Sequence, residues 1–314
     1  MSHPAADPVS AAVKQSWRRF LETYEPLRPE LYRYCRHLTR SPWDAEDMAQ
    51  ESMARAFVSL GVLDAAPENP RAWLFRVASN LWINRARQAR ELPSAFLDEL
   101  AEPAIDPEPR GTREAAGTLL TQLSPQERAA VVLKDAFGFS LLEIAEALST
   151  SSGAIKAALH RGREKLLAPE PDAGEGVAPA VLDAFCEAFN ARDLERLTAL
   201  LLDGATLLYP GFKLERGASA VVNGSLRGTL FGCPDGNHAP PPPPPPRCEI
   251  RMHRGQPIFL WWSGPEVHAV VRVEVAGERI ARLWNYYHAP ELLAEVCREL
   301  AVPFRSHGYL PDPG

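Results

Sequence analysis

The amino-acid sequence predicts a multidomain protein: an all-α N-terminal half with two helical domains, followed by an α+β domain. Three observations predict this class. Apolar residues recur with helical period over residues 13–60, and a helix-turn-helix pattern occupies residues 139–166. After residue 200, short segments typical of β-strands predominate. At 314 residues the chain is long enough for several domains, each with its own core.

Changes in composition set the domain boundaries. Prolines and acidic residues without periodicity mark one linker, and prolines with glycines mark a second. We predict a helical domain at 10–92, an acidic linker at 93–117, a helix-turn-helix domain at 118–168, a linker at 169–176, an α+β domain at 177–295 and a C-terminal tail at 296–314. Seven consecutive prolines, Pro240–Pro246, predict a polyproline loop inside the α+β domain.

Two adjacent segments of the first domain carry opposite charge. Residues 43–51 contain four carboxylates at helical spacing, whereas residues 69–90 contain no acidic residue and interleave arginines with tryptophans and asparagines. Arginines follow phosphates and aromatic rings stack on exposed bases, so the second segment is typical of a single-stranded DNA surface. The acidic segment then faces a different partner.

The basic segment has two faces when drawn as a helix. One face carries Trp73, Arg76, Asn80, Asn84 and Arg87, and the opposite face carries Leu74, Val77, Ala78 and Leu81. The apolar face is predicted to be core. Trp82 belongs clearly to neither face, and two interpretations stay open for it: a ring that stacks on a base, or a partly buried core indole.

The helix-turn-helix pattern ends in a basic helix. Its inward positions include Ile155 and Leu159, and its other face presents Lys156, His160, Arg161, Arg163 and Lys165. Such a helix fits the major groove of DNA. The alternative is a surface helix whose basic residues near the C-terminus merely complement the helix dipole.

Three segments in fixed order carry a resemblance to a known family. They are DAEDMAQE at 44–51, PRAWLFRVASN at 70–80 and LSPQER at 123–128, and the helix-turn-helix follows them. This order resembles bacterial RNA polymerase sigma factors of the extracytoplasmic-function (ECF) class. The resemblance covers about half of the chain, as sigma region 2 (10–92) and sigma region 4 (118–168).

The resemblance implies a role for each charged surface. The partners it implies are the RNA polymerase core, with its β′ and β subunits, and promoter DNA. The residues implied to bind polymerase are Asp44, Glu46, Asp47, Gln50 and Glu51. Those implied to capture and melt the minus-10 element are Arg71, Trp73, Arg76, Asn80, Trp82, Asn84, Arg85 and Arg87. Those implied to read the minus-35 element are Ser152, Gly153, Lys156, His160, Arg161, Arg163 and Lys165.

The C-terminal domain combines helices with strands. Helices are predicted within 182–201, and strands at 205–209, 258–262, 267–275 and 279–287. The helices followed by a curved sheet resemble the cone-shaped SnoaL-like fold, which hosts cyclases and isomerases. Strand alternation proposes a pocket lined by His268, Arg272, Trp284 and Tyr286. A buried core histidine with satisfied hydrogen bonds is the favoured interpretation of His268.

We expect this domain to regulate the helical half in cis rather than to catalyse a reaction, with a small-molecule ligand as a candidate signal. Residues 169–314 carry 13 basic and 18 acidic residues, and this excess suits the shielding of a basic DNA-binding face. Two alternatives stay open. One is a helix-turn-helix regulator that acts without polymerase, and the other is a SnoaL-like cyclase or isomerase tethered to DNA.

Composition argues against several other classes. The five cysteines form no CxxC pair, so neither a disulfide framework nor a zinc site is expected. No cofactor or metal is predicted. The net charge is −6, so nucleic-acid binding must come from local patches. The sequence shows no signal peptide or bilayer-spanning apolar run, and we expect a cytoplasmic protein without a membrane role.

Overall fold

The computed structural model describes residues 16, 18–60, 67–91, 123–165, 179–232 and 246–309. The chain divides into two compact units near residue 172. Both predicted linkers, 93–117 and 169–176, lie outside the described residues, as do residues 240–245 of the proline run. Within the described part of the chain, no helix has both the length and the apolarity needed to cross a membrane.

The first unit is helical. Residues 18–24 form a helix that passes through a 3₁₀ turn at Glu25–Leu27 into the next helix. The longer helices are α1 (Arg28–Thr39), α2 (Pro42–Leu60) and α3 (Pro70–Glu91). Pro42 and Pro70 each stand first in a helix, where the missing N–H costs no hydrogen bond. Arg40 has φ of 69°, the left-handed conformation that ends α1.

Three further helices form the predicted helix-turn-helix domain. They are α4 (Pro125–Val131), followed by a π-helical turn (Val132–Ala136), then α5 (Leu141–Ala147) and α6 (Ser152–Lys165). Ser124 and Ser140 cap α4 and α5 through capping boxes with Glu127 and Glu143. In each box the serine side chain and the glutamate side chain satisfy each other's backbone N–H. The predicted helix-turn-helix is confirmed.

The two helical domains predicted from the sequence pack together in one compact unit. The ring centroid of Phe75 on α3 lies 5.4 Å from those of both Phe137 and Phe139. Phe75 and Phe139 are buried. Arg128 on α4 donates from Nη1 to the carbonyl oxygen of Leu38 over 2.7 Å. One aromatic core therefore stabilises both domains.

The first unit also contains a buried ion pair. Glu46 on α2 has no exposed surface, and its carboxylate accepts a hydrogen bond from the Arg28 guanidinium at the start of α1. Gln50 donates from Nε2 to Glu46 Oε1 over 2.7 Å. Because a buried charge without a partner is costly, this pair fixes α2 against α1. The structure thus corrects the expectation that Glu46 belongs to an exposed polymerase-binding surface.

The second unit has the predicted α+β class. Its helices are α7 (Ala180–Ala191), α8 (Leu194–Leu200), α9 (Ala218–Val221), α10 (Arg227–Phe231) and α11 (Pro290–Glu299), with a π-helical turn (Val222–Leu226) between α9 and α10. Its strands are β1 (Leu201–Tyr209), β2 (Lys213–Arg216), β3 (Arg247–His253), β4 (Gln256–Ser263), β5 (Glu266–Ala276) and β6 (Arg279–Asn285). The sheet order is β2-β1-β6-β5-β4-β3, antiparallel except between β1 and β6.

Helices α7 to α10 share a core with one face of this sheet. Phe185 on α7 stacks on Phe259 with centroids 4.8 Å apart, and Phe189 stacks on Trp261 at 5.0 Å. The helices predicted within 182–201 and the four predicted strands are confirmed. The sequence missed β2, α9 and α10, which are short, and β3, which begins beside the proline run. It also missed α11, which was assigned partly to the tail.

The predicted C-terminal tail is only partly a tail, because residues 296–299 belong to α11. Beyond α11 the chain pairs with the start of β5. Val267 N donates to Pro303 O, and Arg305 N donates to Val267 O, each over 2.9 Å. The Arg305 side chain also forms a 2.9 Å ion pair with Glu266. The tail therefore packs on its own unit.

Replacing Phe139 tests the shared aromatic core. Phe139→Ala is expected to lower the free energy of unfolding of the first unit by about 3–5 kcal/mol, because a buried ring is lost. Leu142→Ala is the matched control, since Leu142 on α5 is 74% exposed. Calorimetric unfolding of both variants measures the difference. Equal stability of the two variants would contradict a core shared by both domains.

Replacing Glu46 tests the buried ion pair. Glu46→Gln is expected to lower the free energy of unfolding by about 3 kcal/mol, because the Arg28 charge stays buried without its counter-charge. Asp44→Asn, an exposed position on the same helix, is expected to change it by less than about 0.5 kcal/mol. Urea titration followed by circular dichroism compares them. If Glu46→Gln left the free energy of unfolding unchanged, Glu46 would not stabilise the packing of α2 against α1.

Candidate polymerase and nucleic-acid interface

The exposed acidic surface of α2 is smaller than the sequence predicts. Asp44 is exposed near the start of the helix, where its backbone N donates to Ser41 Oγ over 3.3 Å. Asp47 and Gln50 are half-buried, and Gln50 is engaged with Glu46. We call Asp44, Asp47 and Glu51 the acidic surface. Its members follow the helical period, so they face one side of α2.

Glu51 connects the acidic surface to the basic helix. It accepts a hydrogen bond from Arg55 Nε over 2.8 Å and forms an ion pair with Arg85 of α3. Partial burial disfavours its charged form, but the hydrogen bonds and charges of Arg85 and Arg55 outweigh burial and lower the pKa of Glu51. Glu51 and Arg85 therefore neutralise each other where α2 meets α3.

Helix α3 presents one continuous polar stripe to solvent. Arg76, Asn80, Asn84 and Arg87 are all exposed, at intervals of three or four residues. We call these four residues the basic stripe. On the other side Leu74, Ala78 and Leu81 are buried and Val77 is half-buried, in line with the predicted core face, whereas Trp73, predicted for the polar face, is half-buried as well.

Four other residues predicted for the minus-10 surface have partners inside the first unit. Arg71 donates from Nε to Glu30 over 2.9 Å and lies 4.4 Å from the Phe139 ring centroid. Trp82 donates from Nε1 to Pro125 O over 3.3 Å. Trp73 is half-buried, with its ring 5.7 Å from that of Tyr24, and Arg85 pairs with Glu51. For Trp82 the structure favours the partly buried indole over the free stacking ring.

The hydrogen bond between Arg71 and Glu30 explains why Arg71 faces inward. That bond lowers the pKa of Glu30 and raises the pKa of Arg71, so the charged state of both groups is favoured. The same guanidinium donates from Nη2 to Phe137 O over 3.3 Å. Arg71 thus joins α3 to the helix-turn-helix domain, a role that sequence pattern did not suggest.

Helix α6 carries the minus-35 candidates on its outer face. Gly153, Lys156, His160 and Arg161 are exposed, and Ser152 is half-buried at the first position. Ile155, Ala158 and Leu159 are buried on the inner face. The side chains of Arg163 and Lys165 lie outside the described residues. Arg161 donates from Nε to Glu127 over 2.9 Å while 57% of its side chain stays exposed.

Gly162 positions α6, although no sequence motif includes it. A Cβ atom at this position would lie 2.9 Å from Val131 Cγ2, closer than side chains tolerate. Valine is stiff in a helix, so it cannot move away easily. The missing side chain therefore lets α6 lie close against α4. In the sequence, a glycine inside a basic helix was the feature that could have indicated this close packing.

Two of the four residues predicted as a pocket of the C-terminal unit contact each other. Arg272 and Trp284 are cross-strand partners, with the guanidinium 5.1 Å from the indole centroid. By strand alternation they face away from the core shared with α7 to α10, because Val271 and Leu283 face it. Tyr286 is fully buried, and its backbone N donates to Val270 O over 2.9 Å.

His268 lies against aromatic rings rather than beside an acid. Its ring centroid is 5.8 Å from that of Tyr287 and 6.3 Å from that of His307 in the tail. Burial, followed by the nearby His307, lowers the pKa of His268 to about 4. The imidazole is therefore neutral near pH 7, and the side chain is half-buried.

A different polar group lies on the helix side of the sheet. Tyr209, at the end of β1, interacts with the side chains of Ser225, Thr229 and Asn285, and burial raises its pKa to about 12. Asn285 is buried as well. These residues are distant in sequence and fit no motif, so only the fold brings them together. Among the described residues, no group of three or more histidine, cysteine or acidic side chains is placed to hold a metal.

Comparison with known proteins identifies both helical domains. Residues 23–91 match the family Sigma-70 region 2, and residues 113–166 match Sigma-70, region 4. The basic stripe and the acidic surface lie in the first match, and α6 lies in the second.

Curated relatives are sigma factors. ECF RNA polymerase sigma factor SigG of Mycobacterium tuberculosis is 29% identical over 235 residues, covering 63% of this chain and 63% of that protein. The chain thus spans under two thirds of the length of this relative. SigL of M. tuberculosis, also an ECF RNA polymerase sigma factor, is 31% identical over 162 residues, covering 48% of this chain and 87% of that protein.

A solved structure is similar over a longer range. The crystal structure of the M. tuberculosis extracytoplasmic function sigma factor SigJ covers 87% of this chain and 97% of that one, at 22% identity and a TM-score of 0.35. The sequence matches carry the assignment: both sigma-70 regions occur in order, and a 31% identical relative is covered over most of its length. This chain belongs to the ECF class of RNA polymerase sigma factors.

Proposed function

We propose that this chain is a promoter-specificity subunit that binds core RNA polymerase, melts promoter DNA and starts transcription. The basic stripe of α3 is the observation that carries this function. Its four side chains are exposed together while the neighbouring candidates are engaged inside the unit. Acting in transcription, the protein would work in the cytoplasm with polymerase and DNA as partners.

The chemistry of the basic stripe suits an opened DNA strand. Arg76 and Arg87 at its ends provide positive charge for phosphates, and Asn80 and Asn84 between them provide donors and acceptors for base edges. The stripe spans on the order of 16 Å along the helix, the length of a few nucleotides. An unpaired base held there can recover part of the cost of unpairing through hydrogen bonds.

The acidic surface supports docking on a basic surface of the polymerase β′ subunit. Asp44 and Asp47 project from the same side of α2, and the buried Glu46 holds that helix in place. Complementary charges speed encounter and fix orientation more than they raise affinity. Glu51 contributes less charge than expected because Arg85 neutralises it.

Helix α6 supports recognition of the minus-35 element in the major groove. Lys156 and His160 are exposed one turn apart, and Gly153 near the N-terminus allows close approach to DNA. Glu127 holds the Arg161 guanidinium at one end while most of the side chain stays accessible. The ion pair thus orients Arg161 before DNA arrives.

Run-off transcription with core polymerase tests the assignment. Asn80→Ala combined with Arg76→Ala is expected to lower promoter opening at least tenfold, because base and phosphate contacts are lost. Arg33→Ala, an exposed arginine of α1 outside the stripe, is the charge-matched control and should retain activity. Permanganate footprinting of the minus-10 element reports opening. Normal opening by the double variant would exclude the stripe as the melting surface.

Assembly with core polymerase tests the acidic surface. Asp44→Asn combined with Asp47→Asn is expected to weaken holoenzyme assembly several-fold, most clearly at low salt. Asp183→Asn, an exposed aspartate of the second unit, is the control. If the double variant assembled normally with core polymerase, α2 would not be the docking helix.

We further propose that the C-terminal unit regulates the helical half in cis and is not an enzyme. Its candidate base, His268, has a pKa of about 4 and therefore little affinity for a proton at neutral pH. The acidic excess of residues 169–314 gives this half a negative field that opposes DNA binding.

Removing the C-terminal unit tests the regulatory proposal. A chain ending at residue 178 is expected to bind promoter DNA more tightly, by several-fold at low salt, because a competing acidic domain is gone. Fluorescence anisotropy over a salt series measures this, with circular dichroism as the check on folding. A folded truncated chain with unchanged affinity and transcription would exclude regulation in cis.

A further inference from the structure

Two cysteines of the second unit meet although 62 positions separate them. Cys186 on α7 and Cys248 on β3 place their sulfur atoms 3.1 Å apart. Both are free thiols. A disulfide bond is about 2 Å long, so the two sulfurs need to approach by only about 1 Å to bond. The pair belongs to no CxxC motif and could not be predicted from sequence spacing, because only the fold brings α7 and β3 together.

Asn190 holds the two elements in register. It lies one turn after Cys186 on α7, and its Nδ2 donates to Cys248 O over 3.0 Å. In return, Cys248 N donates to Asn190 Oδ1 over 2.8 Å. Because β3 is an edge strand, the amide of Asn190 takes the place of a missing neighbour strand. The backbone of Cys248 is thereby fixed to the helix that carries Cys186.

The two thiols differ in exposure. Cys248 is only 3% exposed and lies opposite Trp261 in the neighbouring strand, whereas Cys186 is half-buried. Burial, and then the adjacent Cys186, raise the pKa of the Cys248 thiol well above its usual range. Cys186 is therefore the thiol that a dissolved oxidant can reach and oxidise first. Cys248 is placed to react with the oxidised Cys186 sulfur in the second step.

The other described cysteines do not offer this arrangement. Cys35 and Cys297 are buried, whereas Cys186 keeps part of its surface accessible. Cys233 lies outside the described residues. Cysteines that respond to oxidants are typically accessible and have a second thiol nearby. Of the cysteines that the structure describes, Cys186 meets both conditions.

We propose that Cys186 and Cys248 are a peroxide-responsive thiol pair that closes to a reversible disulfide between α7 and β3. In the first step the Cys186 sulfur attacks hydrogen peroxide: an S–O bond forms, the O–O bond breaks, and water leaves with the thiol proton. In the second step the Cys248 sulfur attacks the Cys186 sulfur: the S–S bond forms, the S–O bond breaks, and a second water leaves with the Cys248 proton. Two thiols lose two electrons, and one peroxide is reduced.

The bond would change how firmly the edge of the sheet is held. In the reduced state β3 is tied to α7 by packing and by the amide of Asn190. In the oxidised state a covalent link also closes a long loop that contains β1 and β2, which restricts the unfolded chain. Since cytoplasmic thiols are normally kept reduced, such a link acts as a transient signal rather than a permanent support.

Peroxide treatment of the full-length reduced protein tests the pair. Of five cysteines, three are expected to remain titratable after one equivalent of hydrogen peroxide. Peptide mapping by mass spectrometry should find the Cys186 peptide joined to the Cys248 peptide, and dithiothreitol should separate them. The thermal midpoint of the second unit should rise by about 5 °C or more on oxidation.

Matched variants make the test decisive. Cys186→Ser should abolish the cross-link and the thermal shift, whereas Cys233→Ser and Cys297→Ser should keep both. Asn190→Ala should slow closure of the disulfide several-fold while Cys186 still reacts with peroxide, because the second thiol is less well placed. A folded wild-type chain that yields sulfinic acid at Cys186 with Cys248 still free would overturn the proposal. So would a cross-link between two molecules instead of within one.

Discussion

The packing of Phe137 and Phe139 against Phe75 determines which side of α3 faces the solvent. Helix α3 carries arginines on several sides. Which side stays exposed to solvent therefore depends on which sides other helices cover. Here the helix-turn-helix domain covers one side, and Arg71 and Trp82 are drawn into that contact. The exposed basic stripe follows from this packing. Without the aromatic contact the same helix would present a larger and less specific basic surface.

Charge alone does not separate binding residues from structural ones. Glu46 and Arg71 have the residue types of a binding surface, yet each forms an ion pair that fixes one helix against another. Burial decides the outcome, because a desolvated carboxylate or guanidinium must have a partner. Asp44 and Asn80, by contrast, are exposed.

In the C-terminal unit one residue, Asn190, serves both the sheet and the thiol pair. Asn190 satisfies the edge strand β3 and also holds Cys248 against Cys186. The same contact that protects an exposed edge therefore prepares a thiol pair. Regulation by oxidation and regulation by domain shielding would act on one unit through different chemistry, the first covalent and the second electrostatic.

The sequence by itself determined the helical period of the first half, the helix-turn-helix and the α+β class of the second half. These depend on local propensity and on neighbours a few residues apart, which a single sequence displays. Only the tertiary structure decided that Trp82 bonds to Pro125, that Glu46 is buried, that the residues around Tyr209 meet, and that Cys186 faces Cys248. Each of these joins positions far apart in the chain, and the partner of such a residue depends on how whole helices and strands pack.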